Sequence, residues 1–229
     1  GYSTAGFVSA PYVAAIYGYA RGMDEYLDLS AAYEHRSLAR KAIVAPDINA
    51  NALRWLDQHA DEPFFLFLHY FDIHYDYVPP APYDTMFDPD YEGEMDGTDF
   101  IERKDVNRNM PARDLEHILA LYDGEIRFTD EHVGRVLARI DERGLRDNTL
   151  VIVVSDHGDE FFGHGNKGHH RTLYQEVLRV PLIVRLPDGR WAGESVSQQA
   201  SLVDILPTIM DVAGLDGPPL MEGLSLLEL

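Results

Sequence analysis

The sequence predicts an α/β fold, a mostly parallel sheet flanked by helices, and three observations carry that expectation. Phe64-Phe65-Leu66-Phe67-Leu68 and Leu150-Val151-Ile152-Val153-Val154 are continuous apolar runs of strand length, the pattern of parallel strands buried on both faces. A helical pattern precedes each run, and helix followed by parallel strand is the grammar of βαβ units with right-handed crossovers. Both runs end in polar residues, where open α/β sheets place their ligands.

In chain order, Ala5 to Ala10 is a short apolar run that reads as a first strand, followed by Pro11 and a Tyr- and Ala-rich segment to Gly22. Met23 to Asp28 reads as a surface connection. Pro46-Asp47 opens a helix in which Ile48, Ala52, Leu53, Trp55 and Leu56 keep near-helical spacing through His59, with its stop at Asp61-Glu62-Pro63. The Phe-rich strand follows and ends in His69-Tyr70-Phe71-Asp72-Ile73-His74. Residues 75 to 113 carry Pro79, Pro80, Pro82, Pro89 and Pro111 among many Asp and Gly without sustained periodicity. Such an excursion is expected to be a functional lid or a poorly ordered segment on the pocket side.

Leu115 to Arg143 is the longest helical pattern, its apolar face read as Leu115, Ile118, Leu119, Tyr122, Ile126, Val133, Val136, Leu137 and Ile140, with Gly144 as the stop. The Leu150 strand then empties into Ser155-Asp156-His157-Gly158 and a polar loop. Thr172 to Leu178 fits a short helix, Val180 to Leu186 a further strand, and Leu202 to Ala213, closed by Gly214, a final helix. The 229 residues are read as one domain.

Composition excludes some functions. Acidic residues outnumber basic ones 39 to 19, a formal charge of −20, which argues against a nucleic-acid groove or a polybasic membrane contact. There is no cysteine, hence no disulfide framework, thiolate zinc site or cysteine nucleophile in these residues. No apolar run approaches the roughly 18 residues of a transmembrane segment. Gly1 is not an initiator Met, and the first residues read as the lead into an internal strand. A fragment is therefore expected, with its upstream part and any targeting signal before Gly1.

The chemistry concentrates in Thr149 to His170, which holds four of the ten histidines, His157, His164, His169 and His170, together with Asp156, Asp159, Glu160 and Lys167. Asp156 and His157 would point to opposite faces of a regular strand, but where the backbone turns at Gly158 both can converge on one ion. An Asp oxygen with a His nitrogen suits a divalent metal acting as Lewis acid. A catalytic metal normally takes at least three protein ligands, so another contribution is needed. Lys167, one of three lysines, fits a point charge on a sulfuryl or phosphoryl oxygen, or a plain surface lysine. His74 fits an anion contact or leaving-group acid, or a half-buried histidine satisfied by a backbone carbonyl. Tyr70 and Tyr75 are the aromatics expected beside a site.

At these residues the sequence resembles a known family. Asn148-Thr149 through Asp156-His157-Gly158, Gly163-His164-Gly165, and Thr172-Leu173-Tyr174-Gln175-Glu176 to Arg179-Val180-Pro181-Leu182-Ile183 are similar to the second half of a sulfatase catalytic domain of the alkaline phosphatase superfamily. Phe65 to His74 with Pro79-Pro80, Tyr122-Asp123-Gly124-Glu125-Ile126 with Asp130 and Gly134, and Asp204-Ile205-Leu206-Pro207-Thr208 with Gly223-Leu224-Ser225-Leu226 extend the likeness over nearly the whole chain.

The resemblance implies an alkaline-phosphatase-like fold, incomplete at its N-terminus, and hydrolysis of a small-molecule or glycan sulfate ester by a formylglycine nucleophile on a divalent metal. That metal is commonly calcium, with manganese, magnesium or zinc as alternatives. Asp156 and His157 match the second pair of metal ligands. Many sulfatases carry Asn where His157 stands, which keeps phosphonate monoester and phosphodiester hydrolases of the superfamily as alternatives. His74 matches the histidine on the ester oxygens, and Lys167, His169 or His170 the basic residue before the Tyr-containing helix. The family's paired aspartates and Cys/Ser-x-Pro-Ser-Arg nucleophile motif are not in this sequence. The resemblance therefore implies half an active site, with a non-catalytic binding remnant as the rival from another class.

Overall fold

The structure is a computed structural model that describes residues 1–32 and 44–229. The chain divides into two compact units, one made of Gly1–Gly144 with Glu160–His170 and the other of Leu145–Asp159 with Arg171–Leu229.

The first unit is built on a three-stranded parallel sheet: β1 (Ser3–Val8) lies between β2 (Glu25–Asp28) and β3 (Phe64–Leu68). β1 is buried from Ala5 to its end, with Ala5, Phe7 and Val8 out of solvent, and α1 (Ala45–His59) supplies the cover. Ile48, Ala52, Trp55 and Leu56 of α1 form the buried stripe that the spacing predicts. Burial of the larger side chains contributes about 1.5–3 kcal/mol each. β2 departs from the sequence expectation of a surface connection over Met23 to Asp28. It is a four-residue strand with an exposed first residue, and only its parallel partner identifies it.

α1 starts at Val44 and Ala45 with no capping side chain of its own. Its cap comes from the loop after β3: the Val44 and Ala45 N–H groups donate to Asp72 Oδ1 at 2.8 and 3.0 Å. An anion at a helix N-terminus satisfies orphan donors and opposes the helix dipole. Burial nevertheless dominates and lifts the Asp72 carboxyl to about 6, against the pull of those two N–H groups. Asp72→Ala is expected to cost about 1–2 kcal/mol, read from the denaturant midpoint. Because the folded value is raised above 3.8, this group's contribution is full below that pH and is lost as pH rises through about 6. Asp72→Asn should abolish that dependence.

α2 (Ala112–Glu142) runs along α1 and is clasped to it by Asp57, whose carboxylate accepts from Arg139 at 2.6 Å and from Arg143 at 2.5 Å. Asn49 Nδ2 also donates to the His132 carbonyl at 2.8 Å. The helix ends on Gly144 (φ 70°), as expected, but its buried face is rotated from the one read in the sequence. Ile118, Leu121, Glu125, Phe128, His132, Val136 and Ile140 are buried, whereas Leu119 and Ile126 are more than a third exposed.

The 75–113 excursion has a core of its own. Tyr77, Phe100 and Val106 pack with Ile118 and Leu121 of α2, and Phe161 and Phe162 close against them. Asp88 pins a further turn to the helix, accepting from Arg113 at 2.6 Å and meeting His117 Nδ1 at 2.8 Å, while the Tyr91 ring stacks on His117 at 3.7 Å. Phe161 belongs to a short hairpin, β5 (Glu160–Phe161) paired with β6 (Lys167–Gly168), in what the sequence presents as a polar loop.

In the second unit β4 (Val151–Val154) pairs with β7 (Leu182–Arg185), and the short helix α3 (Gln175–Leu178) lies between them in sequence. The pairing is antiparallel, which corrects the expectation of a buried parallel strand. A continuous apolar run reports a strand, not its direction; here Val154 is 39% and Ile183 62% exposed, so neither strand is sealed on both faces. The unit closes with α4 (Ile205–Ala213), which stops at Gly214 (φ 65°) as expected. Ser201 and Asp204 form a capping box on the 3₁₀ turn that leads into α4, and Asp204 also takes the Leu224 N–H at 2.9 Å. Among the described residues no helix is long and apolar enough to cross a membrane.

Candidate active site

The candidate residues fall into two groups, each within one unit. In the second unit β4 delivers Asp156 and His157 past its last residue. The backbone leaves the strand there because Gly158 N–H turns to the Val177 carbonyl at 2.9 Å, beside α3. Gly158 is also the close approach of this loop: a Cβ on it would collide with the Glu176 carbonyl. Asp156 Oδ1 accepts the His157 N–H at 3.0 Å, and its Oδ2 lies 3.9 Å from His157 Nε2. The two adjacent side chains thus lie on the same side of the turn at Gly158.

This donor pair fits a divalent cation. Two ligand atoms each about 2.0–2.4 Å from one ion, at roughly a right angle or wider, stand about 3–4 Å apart. His157 Nδ1 lies 3.1 Å from the Gly158 carbonyl, which assigns its proton to Nδ1 and the lone pair to Nε2. The Asp156 side chain is about three-quarters exposed and that of His157 about one-third, so both are accessible to an ion.

In the first unit the loop after β3 carries His74. The ladder between β1 and β3 runs on by one bond, His69 N–H to the Phe7 carbonyl at 3.0 Å, and Ser9 Oγ donates to the His69 carbonyl at 2.9 Å. The loop therefore leaves from the carboxyl ends of parallel strands. His74 is half-buried, its ring stacked on Phe71 at 4.3 Å and against Tyr75 at 4.1 Å. Its Nδ1 lies 2.7 Å from the Tyr75 carbonyl. One nitrogen is thus satisfied by backbone, the Nδ1 N–H donating to the Tyr75 carbonyl.

His169 sits edge-on to His74 with centroids 5.1 Å apart, 5.2 Å from the Tyr75 ring and 3.9 Å from the His170 ring. His169 is buried and His170 is exposed with a left-handed backbone (φ 81°), a conformation rare outside glycine. Gly168 brings them there: its φ is 69°, and a Cβ would lie 2.6 Å from Ile101 Cδ1. Gly168→Ala is expected to cost about 1–2 kcal/mol, read as a lower denaturant midpoint with the far-UV spectrum retained. Tyr70 is tied to α1 through its hydroxyl, which donates to Asn49 Oδ1 at 2.6 Å.

Lys167 is held by the excursion: its ammonium donates to the Arg103 and Val106 carbonyls at 2.9 and 2.7 Å and lies over the Phe100 ring at 5.5 Å. The structure thus gathers His74, His169 and His170 with Tyr75, and Asp156 with His157. Sequence reasoning missed the carboxylates that support the His74 loop. Asp72 caps α1, Asp76 Oδ1 accepts the Phe100 N–H at 2.8 Å, and Glu125 Oε1 accepts the Val78 N–H at 2.8 Å. The available signal was an acid, Glu125, one and two turns from Leu121, Ile118 and Phe128 on an apolar helix stripe.

The Sulfatase family model matches residues 1–215. The uncharacterized sulfatase YidJ of Escherichia coli (strain K12) is 31% identical over 191 residues, 79% of this chain and 38% of that protein. Among solved structures, the phosphonate monoester hydrolase SpPMH from Silicibacter pomeroyi superposes with a TM-score of 0.77 at 22% identity, over 99% of this chain and 58% of that one. BT4656, solved in complex with its substrate D-glucosamine-2-N,6-O-disulfate, superposes with a TM-score of 0.72 at 20% identity, over 99% of this chain and 61% of that one. Both likenesses establish the α/β fold. The matched part of the chain covers 38% of YidJ and from 19% to 39% of other curated relatives.

Proposed function

We propose, because this chain belongs to the sulfatase family, that the full-length protein hydrolyses sulfate esters with a divalent cation, calcium first among the candidates. The observation that carries the reading is the convergence of Asp156 Oδ2 and His157 Nε2 to 3.9 Å at the turn after β4, with Nδ1 turned to a carbonyl. A cation bound there supplies Lewis-acid polarisation of the ester oxygens. Asp156 contributes the negative charge and His157 the neutral imidazole donor. His74, braced by Phe71 and Tyr75, carries a second proton on Nε2 in this reading and donates it to an ester or leaving-group oxygen, with His169 and His170 as neighbouring contacts for the anion. Lys167 orders the Arg103–Val106 backbone and adds positive charge on the strand that leads into His169 and His170.

A sulfated sugar is the substrate class that the substrate of BT4656 suggests, and a small aryl sulfate is the practical probe. A second reading, phosphonate monoester or phosphodiester hydrolysis, draws on His157, which stands where many sulfatases have Asn, and on the fold shared with SpPMH. Steady-state assays of the full-length protein with calcium or manganese against an aryl sulfate, an aryl phosphonate and an aryl diester separate them. A kcat/KM highest for the sulfate supports the first reading, and one highest for either phosphorus ester supports the second. Turnover of none, with the cation bound tightly, overturns both in favour of a binding protein.

A further inference from the structure

Glu125 lies in the middle of α2, 5% exposed, on the stripe that faces the loop carrying His74. Its Oε1 takes the Val78 N–H, whereas its Oε2 is buried with no hydrogen-bond partner among the described residues. Asp72 Oδ2, on the loop after β3, and Thr129 Oγ1, one turn along the same helix, are likewise buried without a hydrogen-bond partner among the described residues. We propose that Glu125 is a positioning residue for His74, acting as an uncharged carboxylic acid that fixes Val78 and, through it, the 72–78 loop. The inference rests on the reading of His74 as the ester-oxygen contact.

The surroundings argue for the uncharged form. Among the described residues the charged groups acting on Glu125 are Asp72 and Asp76, both acids of the loop it supports. On α1 the buried polar residue is Asn49, which is uncharged and bonded to the His132 carbonyl. On its own helix His132 is two turns away with Nδ1 on the Phe128 carbonyl. No cation among these balances a buried carboxylate. Burial first, and then Asp72 and Asp76, push the Glu125 carboxyl well above the usual range, and the single Val78 N–H does not reverse it. A proton on Oε2 turns an orphaned acceptor into a donor and removes one negative charge from the field of Asp72 and Asp76.

The rest of the loop explains why Val78 matters. Asp72 ties its start to α1, and Asp76 ties its middle to Phe100. Gly124 lets Pro79 and the Tyr83 carbonyl press on α2; a Cβ there would lie 2.5 Å from that oxygen. Glu125 is thus the tie on the outgoing side of His74, four residues after it. A loop fixed at both ends holds the imidazole in one place, and small misplacements of a reacting group are costly in rate.

The test compares wild type, Glu125→Gln and Glu125→Ala in the full-length protein. Gln keeps an acceptor for the Val78 N–H and cannot ionise. A group with a raised folded value contributes fully below its unfolded value of 4.5 and loses that contribution as pH rises through the folded value. The wild-type unfolding constant should therefore grow about tenfold per pH unit relative to Glu125→Gln from pH 4.5 up to the folded value, and run parallel beyond it. Stability curves parallel throughout overturn the uncharged acid. Should Glu125→Gln fail to fold, a protonated-carboxyl stretch in the infrared spectrum of wild type at pH 7 supports it and its absence overturns it. For positioning, Glu125→Ala should lower kcat on an aryl sulfate about tenfold with KM little changed, and Glu125→Gln should recover most of it. Equal losses in both variants overturn the positioning role. If wild type turns over no ester while the stability curves still diverge, the His74 reading fails and the buried acid stands.

Discussion

Asp156→Ala in the full-length protein is expected to lower kcat/KM for an aryl sulfate by at least about a hundredfold and to weaken cation binding in parallel. Loss of a group that merely orients a metal ligand typically costs 10- to 100-fold, so loss of the ligand itself should exceed that range. The geometry adds a second effect. Asp156 Oδ1 accepts the His157 N–H, so truncation also frees the backbone that aims the imidazole. Asp156→Asn keeps that acceptor and the shape while removing the charge, and should fall between wild type and Ala. Calorimetric titration with calcium and with manganese, beside the kinetics, checks the assignment. A full loss of turnover with undiminished cation affinity would remove Asp156 from the metal site.

His74→Ala should lower kcat for the same ester by about a hundredfold, the usual loss when one donor to a developing negative charge is removed. The effect belongs in kcat because Nε2 meets an oxygen whose charge grows in the transition state. His74→Gln tests reach against chemistry: its amide can donate to the oxygen but cannot transfer a proton. Recovery by Gln points to electrostatic stabilisation, and a loss as deep as that of Ala points to proton transfer. Phe71 and Tyr75 flank the ring, so the folded state of each variant needs a circular dichroism check. A variant that is folded and fully active removes His74 from the chemistry.

The elements legible in the sequence are those whose pattern is local. β1, α1, β3, α2, β4, β7 and α4 all fall where runs or spacing predict them, because a stripe or a continuous apolar run is written within one segment. β2 was missed because Glu-Tyr-Leu-Asp has no apolar run and becomes a strand only by pairing with Ala5 to Val8. The direction of β4 was misread for the same reason, since its partner lies thirty residues on. The core of the 75–113 segment depends on Ile118, Leu121 and Phe161, none of which announces Tyr77 or Phe100 as a partner.

The candidate site divides in the same way. Asp156 and His157 were legible because an apolar run stops on them and Gly158 follows. His169 and His170 were singled out for their neighbours, but their approach to His74 depends on Gly168 and Tyr75, about ninety residues apart in the sequence. The two carbonyls that hold Lys167 lie 64 and 61 residues before it. Local sequence names the reactive groups, and distant sequence supplies what fixes them.

The remote cap of α1 has a consequence for synthesis on the ribosome. Val44 and Ala45 leave the exit tunnel 28 and 27 residues before Asp72, the side chain that satisfies their N–H groups. A nascent α1 therefore begins with its first turn frayed, whatever its spacing. It gains a stable start only when β3 and the loop behind it have emerged. The first strand, the helix and the third strand should consequently become protected from hydrogen exchange together during translation, as one event rather than in chain order.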